Sequence, residues 1–227
     1  MQSGEIEVRV WDLPVRLFHW LLVLLFAFMF FTGKSGGDWM EWHMRAGYAI
    51  LALVLFRILW GFAGSTYARF SSFLAGPSAC LRFAKKLLAR APVPYAGHNP
   101  LGGWMVLVLL LALLFQTGSG LFANDDLLSE GPLASLISKA MSDRLSTLHS
   151  WNFNLLLLLA GVHLIAVLYH AGFMKENLIG AMFTGVKHLP ADAAAGSAPA
   201  RFASPWLAFV LLLVAAFAVY LIVKRPF

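Results

Sequence analysis

The sequence predicts an all-α integral membrane protein: a four-helix transmembrane bundle followed by a fifth, C-terminal transmembrane helix. Three observations point there. Of 227 residues, 60% are hydrophobic and 12% charged, against roughly 45–50% and about 25% in soluble domains. The apolar residues are gathered into five runs, each close to the ~20 residues that cross a hydrocarbon core. Segments rich in Gly, Pro and charge separate the runs. The length suits one helical bundle and leaves no room for a sizeable soluble domain.

The runs are Val15–Gly33, His43–Phe62, Leu101–Phe122, His149–His170 and Pro205–Val223. Gly33-Lys-Ser-Gly-Gly37 breaks the first from the second. Pro77, Pro92, Pro94 and Pro100 punctuate the second connection, and Ala193–Ala200 reads as a small-residue linker before the last run. The chain therefore divides into a bundle, residues 1–190, and a linker with its final helix, residues 191–227. The fourth run is a long Leu/Ala/Val stretch despite Asn152 and Asn154 near its start. Glu5, Glu7 and Asp12 precede the first run and no small-residue cleavage site follows Phe31, so this run is expected to be retained. No internal repeat is visible.

The net charge of +6 would suggest nucleic acid in a soluble protein. Here the basic residues lie between apolar runs and read as topology signals, so no nucleic-acid partner is expected. The one cysteine, Cys80, makes neither an internal disulfide nor an iron–sulfur site, and there is no C-x-x-C-H for c-type haem.

Five spans place residues 1–14, 63–100 and 171–204 on one side. With Arg16 at its border, that side carries Arg9, Arg16, Arg69, Arg82, Lys85, Lys86, Arg90, Lys175, Lys187 and Arg201. The other side carries Lys34, Arg45, Lys139, Arg144, Lys224 and Arg225. The excess makes the N-terminal side cytoplasmic. Lys224 and Arg225 argue the other way, which leaves the fifth span the weakest part of the topology. On the opposite side, Leu133, Leu136, Ile137, Ala140 and Met141 recur at helical spacing, and a short amphipathic helix on the outer surface is expected within 124–147.

Four histidines fall inside or at the ends of the spans: His19, His43, His149 and His163. Ionisable groups at that depth are costly and read as functional. His149 and His163 are fourteen residues apart, close to four whole turns, so they project from one face and are separated by roughly 21 Å along the axis. Topology then sorts the four by depth. His19 pairs with His163 near the N-terminal side, and His43 with His149 near the other. Two histidines under-ligate zinc, which takes about four ligands, and no carboxylate lies in the spans to complete a site. Haem brings four nitrogens of its own and needs two axial ligands on opposite faces, which a helical bundle supplies. The expected bundle therefore holds two haems.

Supporting residues fit. Arg57 is fourteen residues after His43 and shares its face; an arginine fork suits a haem propionate. Arg16, Arg45 and Arg144 lie at depths that suit the same task. Gly47 and Gly161 would let a flat macrocycle approach the backbone, or serve helix packing. His98, His170 and His188, in loops or at a span end, require no special role.

Val10-Trp-Asp-Leu-Pro-Val-Arg-Leu-Phe-His-Trp20, His43-x-x-x-Gly47-Tyr48, Phe56-Arg57-x-x-Trp60-Gly61-Phe62, His149-x13-His163 and the stretch from Glu176-Asn177-Leu178-Ile179 to Lys187 resemble the bacterial di-haem cytochrome b561 proteins. That superfamily includes the b-type cytochrome subunits of nickel–iron hydrogenases and formate dehydrogenases. The resemblance covers roughly residues 8–190. It implies two haem b groups with His19, His43, His149 and His163 as axial ligands, in the pairing that depth gives. It also implies a multi-pass protein of the bacterial inner membrane that moves electrons between the quinone pool and a redox partner. The quinone is expected near the cytoplasm-side haem, around His163, Arg16, Trp11 and Asn177. With both axial positions filled, neither iron has a free site for oxygen chemistry, in keeping with an electron relay. The external partner is expected to be a periplasmic c-type cytochrome or, second, a hydrogenase-like subunit. The sequence is also compatible with a homodimer.

Two rival functions are weaker. A quinone-coupled superoxide oxidase would need a cationic funnel over the outer haem, yet the six basic residues there face six acidic ones: Asp38, Glu41, Asp125, Asp126, Glu130 and Asp143. A proton-coupled transporter would want carboxylates inside the bundle, and the spans hold none.

Overall fold

A computed structural model describes residues 4–91, 94–126, 129–191, 193 and 200–224. In chain order it contains strand β1 (Glu5–Arg9), helices α1 (Leu13–Ser35) and α2 (Trp39–Ala63), the single turn α3 (Phe70–Phe73), α4 (Pro77–Leu88), α5 (Pro100–Gly120), α6 (Lys139–Gly172) and α7 (Leu178–Thr184), strand β2 (Val186–Pro190) and α8 (Pro205–Val223). Helices α1, α2, α5, α6 and α8 are each long and apolar enough to cross a membrane, and each contains one of the five predicted runs or nearly all of it. Their outward faces carry exposed large apolar side chains, among them Leu24, Leu158, Ile165, Trp206 and Phe217. Lipid solvates such faces, whereas water would not.

Two compact units are distinguishable. One draws on Met1–Leu17, Leu59–Val108 and Leu159–Ala208, the other on Phe18–Ile58, Leu109–Leu158 and Phe209–Phe227. The first unit thus gathers the three segments that charge had assigned to the N-terminal side.

Within the first unit, Asp12 starts α1. Its carboxylate accepts from the Val15 amide (2.8 Å) and from the indole nitrogen of Trp60 (3.0 Å), although Asp12 itself is buried. A carboxylate at this position satisfies an orphan donor of the first turn. Upstream, β1 pairs antiparallel with β2, Glu5 opposite Pro190 and Arg9 opposite Val186. The sequence alone reads both segments as loop. The αL residue Gly185 (φ +87°) makes the turn into β2, and its carbonyl accepts from the amides of Val10 and Trp11. A Cβ there would lie 2.7 Å from the Trp11 carbonyl oxygen. Gly185→Ala should therefore destabilise the protein by more than 1 kcal/mol, measurable as a fall in thermal midpoint in detergent.

In the second unit, Gly36 and Gly37, both at positive φ, make the reversal from α1 to α2. The last helix, α8, packs Val219, Ile222 and Val223 against Leu51 and Tyr48 of α2 and Leu121 beyond α5, so the weakest predicted span is a packed helix. Arg225, counted in the charge tally, and most of the Ala193–Ala200 linker lie outside the described residues.

One expectation needs correction. No separate amphipathic helix fills 124–147. Ala134–Leu136 forms a single 3-10 turn and Ile137 is extended. Ser138 then caps a new helix, its hydroxyl accepting from the Met141 amide (3.3 Å), and that helix runs without interruption from Lys139 into the fourth span. Asn124 ties the preceding loop to it through Ser142, Asp143 and Lys139. The periodicity across Leu133–Met141 was therefore interrupted at Ser138, a residue type that favours caps over helix interiors.

Candidate functional site

His43 lies in the second turn of α2 and His149 in the third of α6. Their ring centres are 6.4 Å apart, with planes inclined at 69°. Each ring is held by a hydroxyl together with a backbone group, of Met29 for His43 and of Gln116 for His149. His43 Nδ1 is 3.2 Å from Thr32 Oγ1, and His149 Nδ1 is 3.1 Å from Ser119 Oγ. Both hydroxyls spend their single proton on the backbone: Thr32 donates to the Phe28 carbonyl (3.0 Å) and Ser119 to the Gln116 carbonyl (3.0 Å). A hydroxyl that is already donating can only accept from the ring. The network therefore assigns the proton to Nδ1 of both histidines and leaves the Nε2 lone pair for a metal.

Each hydroxyl precedes a glycine. A Cβ on Gly33 would lie 2.9 Å from His43 Cε1, and one on Gly120 would lie 3.1 Å from His149 Cε1. Thr32-Gly33 on α1 and Ser119-Gly120 on α5 are thus equivalent devices: a hydroxyl orients the imidazole and a bare backbone makes room for it. None of the four stands out in the sequence, because small residues and hydroxyls in membrane helices are usually packing and back-bonding residues. The readable signal was a hydroxyl-glycine pair at a span end next to a histidine-bearing helix.

The pair borders a cavity of about 330 Å³, within the roughly 300–1,000 Å³ of small-molecule sites. Met29, Gly47, Tyr48, Gln116 and Phe153 also line it, with Lys34 and Glu130 among its polar residues. Gly47 meets nothing closer than Met29 Cε at 3.6 Å, and Gly161 meets nothing within 4 Å, so space stands beside both. Asn152 donates to Gln116 Oε1 (2.7 Å) and to the Ala112 carbonyl (2.9 Å), which fastens α6 to α5 three residues beyond His149.

Among the described residues, no group of three or more His, Cys, Asp or Glu is arranged to hold a bare metal ion. Two neighbouring imidazoles fit a metal that brings its other ligands with it. Taking a metal–nitrogen bond of roughly 2 Å and about 1.1 Å from nitrogen to ring centre on each side, ring centres would stand roughly 6.2 Å apart. The 6.4 Å measured here matches.

A model of the prokaryotic cytochrome b561 family covers residues 10–185. The chain belongs to the prokaryotic cytochrome b561 family. Relatives include a probable Ni/Fe-hydrogenase B-type cytochrome subunit of Rhizobium leguminosarum bv. viciae, 25% identical over 79% of this chain and 88% of the relative. The protein of that name in Rhodobacter capsulatus is 24% identical over 79% and 80%. A probable Ni/Fe-hydrogenase 1 B-type cytochrome subunit of Escherichia coli K12 is 28% identical, but the match spans 51% of this chain and 60% of that relative. No solved structure gives a significant match. As a cytochrome b561 family member, the chain is a multi-pass membrane protein of b-type haem electron transfer.

The remaining predicted residues fall as follows. His19 and His163 are both half-buried, in α1 and α6, and the His19 ring meets Trp20 edge-on at 5.1 Å. Arg57 is buried within α2. The Arg16 guanidinium donates to the Phe183 carbonyl, while its Nε is buried with no hydrogen-bond partner among the described residues. Arg45 pairs with Glu41 (2.5 Å) on an exposed face and lies over Trp42. Neither Arg45 nor Arg144 lines the cavity; Lys34 is its cation. Trp11 is buried against His98, ring centres 4.6 Å apart, and His98 in turn meets Phe73. Asn177 caps α7, accepting from the Gly180 amide (2.8 Å).

His170, at the end of the fourth predicted span, is buried. Its Nδ1 is 2.9 Å from Glu176 Oε2, and the equally buried Lys187 donates to Glu176 Oε1 (2.7 Å) and to the Tyr95 carbonyl (3.1 Å). Burial works against the Glu176 charge, yet the His170 hydrogen bond and the Lys187 ammonium outweigh it and hold the carboxyl below its usual range. Lys187 therefore serves an internal ion pair as well as the positive side of the topology.

Proposed function

We propose that the chain relays electrons through two bis-histidine b haems, between the quinone pool and an external redox protein. The supporting observation is the His43–His149 pair: ring centres 6.4 Å apart, the spacing of two ligands on one haem iron, both Nδ1 atoms in hydrogen bonds, and a shared cavity beside them. The outer haem would be held by His43 and His149. The inner would be held by His19 and His163, a pairing that rests on depth in the sequence. A haem so ligated supplies a one-electron carrier with no open coordination site.

The residues around it set its environment. Thr32 and Ser119 accept from the ligands and raise their basicity; such outer-shell partners matter by about 10–100-fold in metal affinity. Thr32→Val and Ser119→Ala should each weaken haem retention at the outer site and raise its midpoint potential, read by spectroelectrochemical titration, while the other haem keeps its potential. Arg57, buried in an apolar span, suits an inner-haem propionate. Arg45 and Arg144 remain candidates for outer propionates, with Lys34 a nearer one.

The quinone is assigned to the cytoplasmic side, where the unpartnered Nε of Arg16 offers a donor. Trp11 and Asn177 have packing and capping roles there, and substituting Arg16 should alter quinone reactivity most. Basic residues set the N-terminus in the cytoplasm of a bacterium, with the protein in its inner membrane. The names of the relatives favour a hydrogenase-like partner over a c-type cytochrome. Residues 1–190 carry this function, and 191–227 add an anchoring helix.

The test is rapid mixing of oxidised protein in proteoliposomes with a short-chain ubiquinol or menaquinol. The reading predicts reduction of both haems in wild type and of the inner haem alone in His43→Ala. Failure of every quinol to reduce wild type would overturn it.

A further inference from the structure

Residues 63–100 contain five basic side chains, Arg69, Arg82, Lys85, Lys86 and Arg90, and no aspartate or glutamate. Four of the five fall on α4 or just after it. The sequence reads this segment as a loop, so its arrangement is a finding of the structure.

Helix α4 is fixed at the level where spans end. Phe83 is buried and meets Tyr95 at 5.6 Å. The indole of Trp104, in the second turn of α5, donates to the Ala75 carbonyl just ahead of the helix (2.8 Å). The hydroxyl of Tyr169, in the last turn of α6, donates to the Leu87 carbonyl (3.3 Å). The guanidinium of Arg90 lies over Phe173. The helix is therefore clamped beside the start of one span and the end of another.

Its outward side is divided. At 100° per residue, Leu81 and Leu88 fall on one line, and Arg82, Lys85 and Lys86 on the neighbouring arc. Leu81 is 59% and Leu88 85% exposed. The three cations are exposed as well, and no carboxylate pairs with them among the described residues. An apolar edge beside a basic arc, held at the level of span ends, is the pattern of a helix lying in a lipid headgroup layer. The absence of acids selects an anionic layer. An acidic soluble protein would match the cations but offers no reason for Leu81 and Leu88 to border them at that depth.

We propose that α4 is a binding site for anionic phospholipid headgroups, with phosphates on Arg82, Lys85, Lys86 and Arg90 and with Leu81 and Leu88 entering the acyl boundary. This does not depend on the haem assignment.

The experiment uses the full chain in mild detergent. Phosphatidylglycerol or phosphatidylcholine is titrated, and bound lipid is counted by native mass spectrometry. Wild type should prefer phosphatidylglycerol. Arg82→Gln/Lys85→Gln/Lys86→Gln should lose that preference, by about fivefold per cation at low salt, with unchanged helical content. Lys85→Arg/Lys86→Arg should keep it, and this conservative variant together with single Gln variants carries the test should the triple fail to fold. Leu81→Ser/Leu88→Ser should bind both lipids more weakly and keep the preference. Inorganic phosphate at equal concentration should not displace the lipid. Equal binding of the two lipids by wild type, an undiminished preference in the Gln variants, or displacement by phosphate would each overturn the proposal.

Discussion

Replacing His149 with leucine is expected to give a folded protein with one haem fewer than its parent. On the proposed reading the lost haem is the outer one, because His149 is the α6 histidine beside His43 and the next histidine of that helix, His163, lies roughly 21 Å further along the axis. Leucine fills the space of the imidazole and brings no polar atom, so the apolar surroundings are satisfied. The Ser119 hydroxyl still donates to the Gln116 carbonyl, which limits the stability loss to about 1–2 kcal/mol. His43→Leu should produce the same spectrum, and the double variant should be no worse than either single one, since both act on one site. Haem content per chain and the difference spectrum check all three. Loss of both haems from each single variant would refute the pairing by depth.

Glu176→Gln is expected to have the largest effect on stability. It removes the one carboxylate shared by His170 and Lys187, both buried, and leaves the ammonium uncompensated. Breaking a buried pair from one side costs about 3 kcal/mol or more, so the thermal midpoint should fall by several degrees. Glu176→Gln/Lys187→Met should recover part of the loss, because no charge is then stranded. The pH dependence follows from the lowered pKa of Glu176. A group depressed in the folded state contributes fully above its ordinary value of 4.5. That contribution fades as pH falls through the lower folded value. Wild type should lose stability across that acid window, and Glu176→Gln should show a flatter curve there. An identical acid limb in both would contradict the clasp.

What the sequence made legible was set by range. The five spans were readable because one apolar run suffices for each. That His43 and His149 would lie side by side, as ring centres 6.4 Å apart do, was readable because alternating span direction converts sequence position into depth. The devices that orient those rings were not, since Thr32, Gly33, Ser119 and Gly120 differ in no local property from packing residues elsewhere in the spans. The β1–β2 pair joins segments 177 or more residues apart, Arg9 to Val186, and five-residue strands carry too little pattern to announce a distant partner. The Glu176 clasp escaped for a related reason: Lys187 looked like any loop cation until folding placed a carboxylate beside it. Helix α4 did carry a period, in Phe83, Leu87 and their neighbours, but the surrounding prolines marked the whole segment as irregular.

Haem stoichiometry tests the two-haem assignment most directly. Purified protein should be assayed for haem b by pyridine haemochrome against amino-acid analysis, with electron paramagnetic resonance on the oxidised form. Two haem b per chain are expected, both low-spin with two nitrogen axial ligands. One haem per chain, or a high-spin signal from a five-coordinate iron, would contradict it.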